Sequence, residues 1–454
     1  MSQKEIEVLA QEWLRLDRDN ETRSTIERLL EQQDHAELES RLCTRLAFGT
    51  AGLRAQMGAG YAFINSLTII QTSQGLGAYL LKEGLASGGI VVGYDARHNS
   101  EKFARLAAAA FTEKGIHVWW YEDLVHTPMV PFGVNELGAA AGIMITASHN
   151  PAQDNGYKVY GSNGCQINTP VDSYIAASIM ENLEPITWDI EKGASLRTSV
   201  LKSMRAKYFQ KLSAFVGFPD RHMRSAPFVY TPMHGVGSSY MTEIMARLEV
   251  PSMTVVPEQA DPDPNFPTVR YPNPEETGAL HRATTLADER GIRLVIANDP
   301  DADRFAVAEK IDGHWIQFTG DQVGVLFAHY LVKSKRSKPA FSKHDVASGD
   351  NEWVLTTAVS SQMISVMAEN DFSVGETLTG FKWLGNRTID LEKQGKVTHF
   401  AYEEALGYMF PDIVRDKDGI TAAVLFLCAY ADWGSPWAKL QELYERFGYA
   451  AMRL

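Results

Sequence analysis

The sequence contains little cysteine. Its 454 residues include three, Cys43, Cys165 and Cys428, with no Cys-x-x-Cys spacing. This usage favours a reducing compartment over a disulfide scaffold. No apolar run approaches the roughly 18 residues that a membrane span needs. Charges of both signs interrupt the apolar positions of residues 1–20, unlike those of a signal peptide. We therefore expect a cytoplasmic protein without a membrane partner.

Positive charge is also scarce. The 43 Lys and Arg residues face 56 Asp and Glu residues, giving a net charge of −13. Such a chain is a poor match for nucleic acid, although a cleft can still be locally cationic and bind a small anion. The length allows about three domains of roughly 150 residues. The 45% hydrophobic and 22% charged content is typical of a globular protein.

Three common catalytic motifs are absent from the sequence. No G-x-x-x-x-G-K-[ST] string occurs, and no glycine pair has the third glycine of a dinucleotide fingerprint. No serine lies in a G-x-S-x-G elbow. P-loop ATPases, Rossmann dehydrogenases and α/β-hydrolases therefore lose support.

Short apolar runs alternate with helical patterns along the chain. Residues 1–46 repeat leucine and tryptophan at helical spacing. The later runs predict a helix at 101–115, strands at 89–95, 116–121 and 140–145, and β-rich runs that end in polar loops at 227–235 and 293–304. This alternation predicts α/β domains. In open α/β sheets, ligands usually bind at loops that follow the carboxyl ends of strands.

The string TASHNP follows one of these strands and carries more functional groups than a turn needs. Taken singly, Ser148 is typical of a turn, and His149 is more often a packed or capping residue. Lys158 lies in an alternating YKVY string, where a lysine usually faces solvent. Arg54, in AFGTAGLR, fits an ordinary surface cation equally well.

The string DPDADR gives the clearest metal signal. Asp299, Asp301 and Asp303 alternate, and in an extended segment such residues point to one side. Like charges so close together are costly unless a cation neutralises them, and ligands made of oxygen alone suit Mg²⁺. The alternative is a solvated acidic turn. An EF-hand does not fit, because Arg304 and Lys310 stand where that loop needs glycine and glutamate.

Together these groups suit phosphoryl transfer. A serine can carry a phosphoryl group, and Mg²⁺ held by three aspartates can withdraw charge from its oxygens. Ser148 would need an exposed loop, so that its phosphate meets both metal and substrate. Phosphoryl transfer also needs cations near the transferring group, for which Arg54, His149, Lys158 and Arg304 are the candidates.

Five separated motifs resemble those of the α-D-phosphohexomutase superfamily. In order, they are FGTAGLR (48–54), TASHNP (146–151), DPDADR (299–304), TGFKW (379–383) and YEEALGY (402–408). The strings TPMHGVG, NDPDADR and TGFKWLGN are similar to those of its cytosolic phosphoglucomutase/phosphopentomutase branch. The resemblance runs from about residue 40 to the end of the sequence.

The resemblance implies three consecutive α/β domains around a central cleft, with an N-terminal helical extension. We expect the extension at 1–46, a phosphoserine domain at 47–205, a metal-binding domain at 206–320 and a sugar-binding domain at 321–454. Family members carry a fourth domain with an R-x-S-G-T-type phosphate loop. No such string occurs here, so we expect the fourth domain to be absent.

The resemblance also implies a phosphoenzyme mechanism. Phosphorylated Ser148 would give its phosphoryl group to a sugar phosphate, forming a 1,6- or 1,5-bisphosphate that returns its other phosphate to the serine. A phosphoserine oxygen and the three aspartates would hold Mg²⁺. Arg54, His149 and Lys158 match cationic positions near the phosphoserine, where one group acts in proton transfer. Arg304 matches a phosphate-binding position beside the metal.

Further residues implied by the resemblance face the sugar. Thr379, Gly380 and Lys382 match a loop on the sugar side of the site. Glu403 matches a glutamate that reads hydroxyls, a role that suits a carboxylate because it accepts two hydrogen bonds in a defined plane. Lys417 matches a lysine that contacts phosphate or acts as an acid or base.

One departure bears on the sugar. Ala405 stands where the family loop usually has serine, which fits a pentose-capable branch and leaves both pentose and hexose phosphates open. The predicted function is a Mg²⁺-dependent phosphoglucomutase or phosphopentomutase, an isomerase of glucose and carbohydrate metabolism that acts on small sugar phosphates. The alternatives are a glucose 1,6-bisphosphate synthase and a truncated, non-catalytic protein that binds phosphosugars.

Overall fold

The computed structural model describes residues 2–49, 52–217, 226–337, 351–368 and 372–448. The chain divides into two compact units. The first comprises residues 1–125 and 133–202, and the second comprises residues 126–132 and 203–454. The second unit thus includes a short segment from within the sequence of the first. The domain boundaries expected at residues 46, 205 and 320 stay predictions.

Three helices open the first unit: α1 (Gln3–Leu16), α2 (Asn20–Glu31) and α3 (His35–Leu42). A side-chain oxygen of Ser2, Asp19 or Asp34 accepts from a backbone N–H in the first turn of each helix, which stabilises the start of the helix. Their apolar faces form one core with the following loop, where the Trp13 ring meets the Tyr61 ring edge-on at 5.0 Å.

The first sheet has six strands in the order β1-β5-β4-β2-β3-β6. They are β1 (Leu53–Gln56), β2 (Ile90–Tyr94), β3 (Val118–Trp120), β4 (Ala141–Ile145), β5 (Asp154–Gly161) and β6 (Arg197–Ser199). Strand β2 runs parallel to β3 and β4, whereas β5 returns antiparallel to β4. Every residue of β2 and β4 is buried, as expected for parallel strands covered by helices on both faces.

The second sheet has five strands in the order β11-β10-β9-β7-β8. They are β7 (Phe228–Thr231), β8 (Met253–Val255), β9 (Leu294–Ala297), β10 (Ala306–Ile311) and β11 (His314–Gln317). The third sheet has the order β13-β12-β14-β15, with β12 (Glu352–Thr357), β13 (Ser373–Thr377), β14 (Val397–Glu403) and β15 (Gly407–Met409). Both sheets belong to the second unit.

Outside the hairpins, helices connect the consecutive strands of the described chain. After the first three they are α4 (Ser66–Lys82), α5 (Ser100–Glu113), α6 (Met129–Leu137), α7 (Val171–Met180), α8 (Leu201–Val216), α9 (Gly237–Arg247), α10 (His281–Arg290), α11 (Gly320–Ser337), α12 (Met363–Ala368), α13 (Phe381–Glu392), α14 (Gly419–Trp433) and α15 (Pro436–Phe447). Short 3₁₀ turns lie at Ala86–Gly88, Ala194–Leu196 and Pro257–Gln259. In the described part of the chain, no helix is both long and apolar enough to cross a membrane.

The three sheets repeat one arrangement of four strands. In β5-β4-β2-β3, in β10-β9-β7-β8 and in β15-β14-β12-β13, one strand pairs in parallel with two neighbours, and one of these neighbours pairs with an antiparallel strand. The hairpin loops that follow β4, β9 and β14 therefore occupy equivalent positions. The predicted fold class, three consecutive α/β domains with N-terminal helices, is confirmed.

Candidate active site

Ser148 lies in the loop between β4 and β5 of the first unit. Its φ is 55°, a left-handed conformation that few residues other than glycine adopt. Its backbone N–H donates to the Thr146 hydroxyl at 2.8 Å, which folds the loop back towards the end of β4. The serine is 2% exposed, so the expectation of an exposed loop serine is wrong.

Three of the cations expected near the serine lie in the same unit. Arg54, on β1, is exposed, and its Nη1 donates to Oδ1 of Asn150 in the serine loop at 3.3 Å. His149 directly follows the serine and is half-buried. Lys158 lies on β5 and is 5% exposed, so it is not the solvated strand lysine that its local sequence suggests.

Asp299, Asp301 and Asp303 occupy the loop between β9 and β10. All three are fully buried, and one oxygen from each carboxylate lies within 4.8 Å of the others. Burial raises the pKa of Asp299 well above its ordinary value, and the charges of Asp301 and Asp303 raise it further. Because a divalent cation would relieve this repulsion and prefers oxygen ligands, the three residues could hold Mg²⁺.

Thr127 holds Asp301 in place from a distant part of the sequence. Its Oγ1 donates to Oδ2 of Asp301 at 2.5 Å, and its backbone N–H donates to the Asp301 carbonyl at 2.9 Å. Thr127 is fully buried and belongs to the 126–132 segment of the second unit. Bonds of this kind orient a metal-binding carboxylate.

Two cationic residues lie beside the aspartates. Nζ of Lys417 is 2.9 Å from an oxygen of Asp303. Burial lowers the pKa of Lys417, but the surrounding carboxylates, led by Asp303, outweigh this effect and raise the pKa above its ordinary value. The backbone N–H of Arg304 donates to Asp299 at 2.9 Å, and its guanidinium lies 3.3 Å from Glu275. Both positive charges therefore already have acidic neighbours.

Glu403 ends β14 in the third sheet and is half-buried. Burial raises its pKa, although the charges of Lys417 and Arg304 oppose the rise. A cavity of about 430 Å³ lies beside the following loop and is lined by Glu275, Gln317, Phe318, Thr319, Gly320, Asp321, Glu404, Ala405 and Leu406. The predicted hydroxyl-reading loop therefore borders a space large enough for a sugar phosphate.

The loop of Thr379, Gly380 and Lys382 follows β13 and leads into helix α13. Thr379 is exposed and Lys382 is half-buried. Gly380 has a φ of 119°, a conformation open mainly to glycine. Because β13 and β14 both run parallel to β12, their carboxyl ends reach the same edge of the sheet. The loop and Glu403 therefore share that edge.

Two supporting residues were missed from the sequence. Arg97 lies just after β2, the strand that pairs with β4, and the string GYDAR after a predicted strand is a signal that could have found it. Thr127 lies in VHTP, where no pattern distinguishes it from an ordinary turn residue.

Three family models match the chain. They are the α/β/α domains I, II and III of phosphoglucomutase/phosphomannomutase, at residues 45–185, 206–312 and 319–447. The chain belongs to the phosphoglucomutase/phosphomannomutase family. The resemblance inferred from the motifs is confirmed.

Individual relatives refine this assignment. The "Probable phosphoribomutase" of Schizosaccharomyces pombe is 48% identical over 433 residues, which cover 93% of this chain and 72% of the relative. The glucose 1,6-bisphosphate synthase of Homo sapiens is 39% identical over 461 residues, covering 96% and 73%. The crystal structure of a candidate phosphomannomutase from Thermus thermophilus aligns with a TM-score of 0.72 and 25% identity, covering 89% of this chain and 84% of that one. The predicted class, a phosphosugar mutase and thus an isomerase, is confirmed.

Proposed function

We propose that this chain interconverts ribose 1-phosphate and ribose 5-phosphate, and less efficiently the corresponding glucose phosphates, with Ser148 as the phosphoryl carrier. The observation that carries the proposal is the buried carboxylate cluster of Asp299, Asp301 and Asp303, in a chain 48% identical to a phosphoribomutase. Such a cluster is suited to a divalent ion that assists phosphoryl transfer.

In the proposed reaction, phosphorylated Ser148 donates to the 5-hydroxyl of ribose 1-phosphate. The bond between phosphorus and Oγ of the serine breaks, and a bond to the sugar oxygen forms. The hydroxyl proton passes to a base, and the released serine oxygen takes up a proton. The resulting 1,5-bisphosphate turns over in the site and returns its 1-phosphate to the serine by the reverse steps. A trace of sugar bisphosphate, 1,5- or 1,6-, would serve as activator by recharging a serine that has lost its phosphate.

The cations of the first unit would bind the transferring group. Arg54 is already tied to the serine loop through Asn150, and His149 is the next residue in the chain. The positive charge of these two groups and of buried Lys158 would offset the charge of the phosphate. The base in the proton-transfer step is one of His149, Lys158 and Lys417.

The second unit would supply the metal site. Asp299, Asp301 and Asp303, with an oxygen of the phosphate on Ser148, would hold Mg²⁺. When bound, the metal withdraws charge from the phosphoryl oxygens. Arg304, whose backbone N–H donates to Asp299, would bind the transferring phosphate beside the metal, exchanging its contact with an acidic neighbour for the substrate.

Residues at one edge of the third sheet would bind the sugar. Glu403 would accept hydrogen bonds from hydroxyls, and Thr379, Gly380 and Lys382 would contact the substrate from the other loop on the same edge. Ala405, two residues after Glu403, lines the cavity and offers no hydroxyl. The absence of this hydroxyl favours the smaller sugar, because the site then has fewer polar groups to bind the hydroxyls of a hexose.

The direct test is an activity assay with intact-mass analysis. The full chain receives Mg²⁺, a trace of glucose 1,6-bisphosphate, and either ribose 1-phosphate or glucose 1-phosphate. We expect faster conversion of the ribose compound and one phosphate on Ser148, which Ser148→Ala should lack. Turnover by Ser148→Ala equal to that of the wild type would overturn the phosphoserine mechanism.

A second test asks whether serine phosphate and aspartates share one ion. Mn²⁺ replaces Mg²⁺ in phosphorylated protein, and ³¹P electron–nuclear double resonance measures the coupling to phosphorus. We expect a coupling that phosphatase treatment removes and that is lost in Asp301→Asn. The control, Asp390→Asn, changes an exposed aspartate and should keep it. No coupling in the wild type would show that the serine phosphate and the aspartates do not share one ion.

The 39% identity to a glucose 1,6-bisphosphate synthase favours one second candidate. A synthase would use the same serine but take phosphate from a separate donor. Glucose 1-phosphate is therefore offered with a panel of phosphoryl donors. Bisphosphate that accumulates in proportion to the donor would identify a synthase, whereas a mutase leaves the bisphosphate at trace level.

We also infer a cytoplasmic location from the scarcity of cysteine. The acidic net charge of −13 disfavours nucleic acid or an anionic membrane as a partner and leaves small sugar phosphates open. Cell fractionation of the tagged full chain tests the location.

A further inference from the structure

Arg97 is an arginine buried beneath the Ser148 loop. It is 4% exposed, and its two terminal nitrogens donate to four backbone carbonyls. Nη2 bonds the carbonyls of Ser148 at 2.5 Å and Asn150 at 2.6 Å. Nη1 bonds those of Pro151 at 2.8 Å and Asp154 at 3.2 Å. One guanidinium therefore holds most of the turn between β4 and β5.

Asp95 balances this buried charge and reaches the same loop by another route. One of its oxygens lies 3.5 Å from Nε of Arg97 and accepts from the Thr146 hydroxyl at 2.6 Å. The other accepts from the Ser100 hydroxyl at 2.7 Å. The Thr146 hydroxyl in turn accepts from the N–H of Ser148.

Strand pairing explains why these residues meet. Tyr94 at the end of β2 lies opposite Ile145 at the end of β4 in a parallel register, and the N–H of Asp95 donates to the Ile145 carbonyl at 3.1 Å. The residues that follow the two strands therefore emerge side by side. Asp95 and Arg97 continue β2, while Thr146 and Ser148 continue β4.

The bonds fix both sides of one residue. The N–H of Ser148 is held through Thr146 and Asp95, and its carbonyl is held by Arg97. Fixing both peptide groups fixes the uncommon φ of 55° and with it the direction of the bond that carries Oγ. A loop needed only as a connection would not require a buried ion pair to hold its carbonyls.

We propose that Asp95 and Arg97 are positioning residues for phosphoryl transfer at Ser148. They touch neither substrate nor metal in this scheme, and act by aiming the serine oxygen. The proposal rests on Ser148 being the phosphoryl carrier, as stated under Proposed function. Misplacing a reacting atom by about 1 Å can cost about a hundredfold in rate, so a loosened loop should slow transfer much more than it weakens substrate binding.

Two variants break the two routes to the serine. Arg97→Lys keeps the positive charge beside Asp95, but one ammonium cannot reach the four carbonyls that the guanidinium spans. Thr146→Val keeps the side-chain shape and removes the hydroxyl that links Ser148 to Asp95. Thr146→Ser restores the hydroxyl and serves as the rescue variant.

The matched control is Arg23→Lys. Arg23 also donates to two backbone carbonyls, those of Leu14 and Asp17, but it lies among the N-terminal helices. It reports the cost of losing an arginine that bonds carbonyls elsewhere in the same unit. Its kcat should equal that of the wild type.

The readouts are kcat, KM and the rate at which glucose 1,6-bisphosphate phosphorylates Ser148, followed by intact mass. We expect Arg97→Lys and Thr146→Val to lower kcat and the phosphorylation rate at least about tenfold, with KM within about threefold. Thr146→Ser should lie close to the wild type.

Each outcome decides the proposal. Wild-type rates in both variants would overturn it, and so would a loss confined to KM. If Arg97→Lys fails to fold, the comparison of Thr146→Val with Thr146→Ser decides alone. Failure of the proposed function looks different: the wild-type protein would then be active without phosphate on Ser148.

Discussion

The Ser148 loop and the aspartate loop occupy the same place in two repeats of one arrangement, yet they are held in opposite ways. Each connects a parallel strand to its antiparallel neighbour, β4 to β5 and β9 to β10. In the first, a buried cation bonds four carbonyls and a buried anion balances it. In the second, three buried anions share one place, and one of them has a lysine partner.

The difference separates a loop whose charges are balanced within the protein from one whose charges require a bound cation. Charges in the serine loop are paired within the protein, so this loop should keep its shape whether or not ligands are present. In the aspartate loop the same scaffold concentrates negative charge. Bringing like charges together in a buried place costs free energy until a cation arrives. The first loop is thus suited to orienting the serine oxygen, and the second is suited to binding a cation.

The largest effect should come from removing the reacting oxygen of the first loop. Ser148→Ala leaves the N–H and carbonyl bonds of the residue in place, so thermal stability should change little. Mutase activity should fall by about 10³-fold or more, measured with ribose 1-phosphate and a trace of bisphosphate. A variant that is inactive only because it is unfolded would be recognised from its melting curve, and its loss of activity would not bear on the role of the serine oxygen.

The same change of charge should have opposite effects on stability in the two loops. In metal-free buffer, Asp95→Asn removes the partner of buried Arg97 and should lower the free energy of unfolding by about 2–4 kcal/mol. Asp301→Asn removes one of three crowded charges and should raise it by about 1 kcal/mol. Urea unfolding in EDTA measures both. A loss of similar size in both variants would refute the contrast.

The bond from Thr127 to Asp301 gives a finer test of the aspartate loop. Thr127→Val keeps the shape and loses the donor, so Mg²⁺ affinity should fall about tenfold, measured by calorimetry on the full chain. Thr127→Ser should restore the affinity. If both variants bind Mg²⁺ like the wild type, the hydroxyl does not orient the carboxylate.

The smallest expected effect is a pH dependence of the metal-free protein. The pKa of Asp299 is raised in the folded state, first by burial and then by Asp301 and Asp303. The folded protein therefore binds more protons than the unfolded chain above about pH 3.9, and this contribution to stability is lost as the pH rises through the folded pKa.

Unfolding in EDTA at several values between about pH 5 and 8 measures this loss. We expect it to be about 1 kcal/mol greater in the wild type than in Asp301→Asn. Saturating Mg²⁺ should abolish this loss in the wild type, because the bound cation keeps the three carboxylates ionised. Equal slopes for the two proteins without metal would show that the three carboxylates do not interact as the structure indicates.

The strands were predictable, whereas their equivalence was not. Apolar runs such as those at 89–95 and 140–145 mark β2 and β4 because a strand buried on both faces needs nearly continuous apolar residues. The repeat itself lies in strand pairing between residues far apart in the chain. The loops TASHNP, NDPDADR and YEEAL share no residue pattern that would reveal it.

The candidate site likewise contains residues that could be predicted from the sequence and residues that could not. Asp299, Asp301 and Asp303 could be grouped from the sequence because their spacing is local. Arg97 bonds a carbonyl 51 residues away and Thr127 a carboxylate 174 residues away, and no local pattern encodes such a distance. The burial of Lys158 could not be predicted from its local sequence for the same reason, since it depends on what packs over β5.

The excursion of residues 126–132 into the second unit means that no single cut can separate the two halves cleanly. A fragment ending at residue 202 would carry Thr127 away, and one beginning at residue 203 would keep Asp301 without its hydroxyl partner. A gene split at this boundary would thus leave the acidic turn without this hydroxyl until the two pieces reassembled.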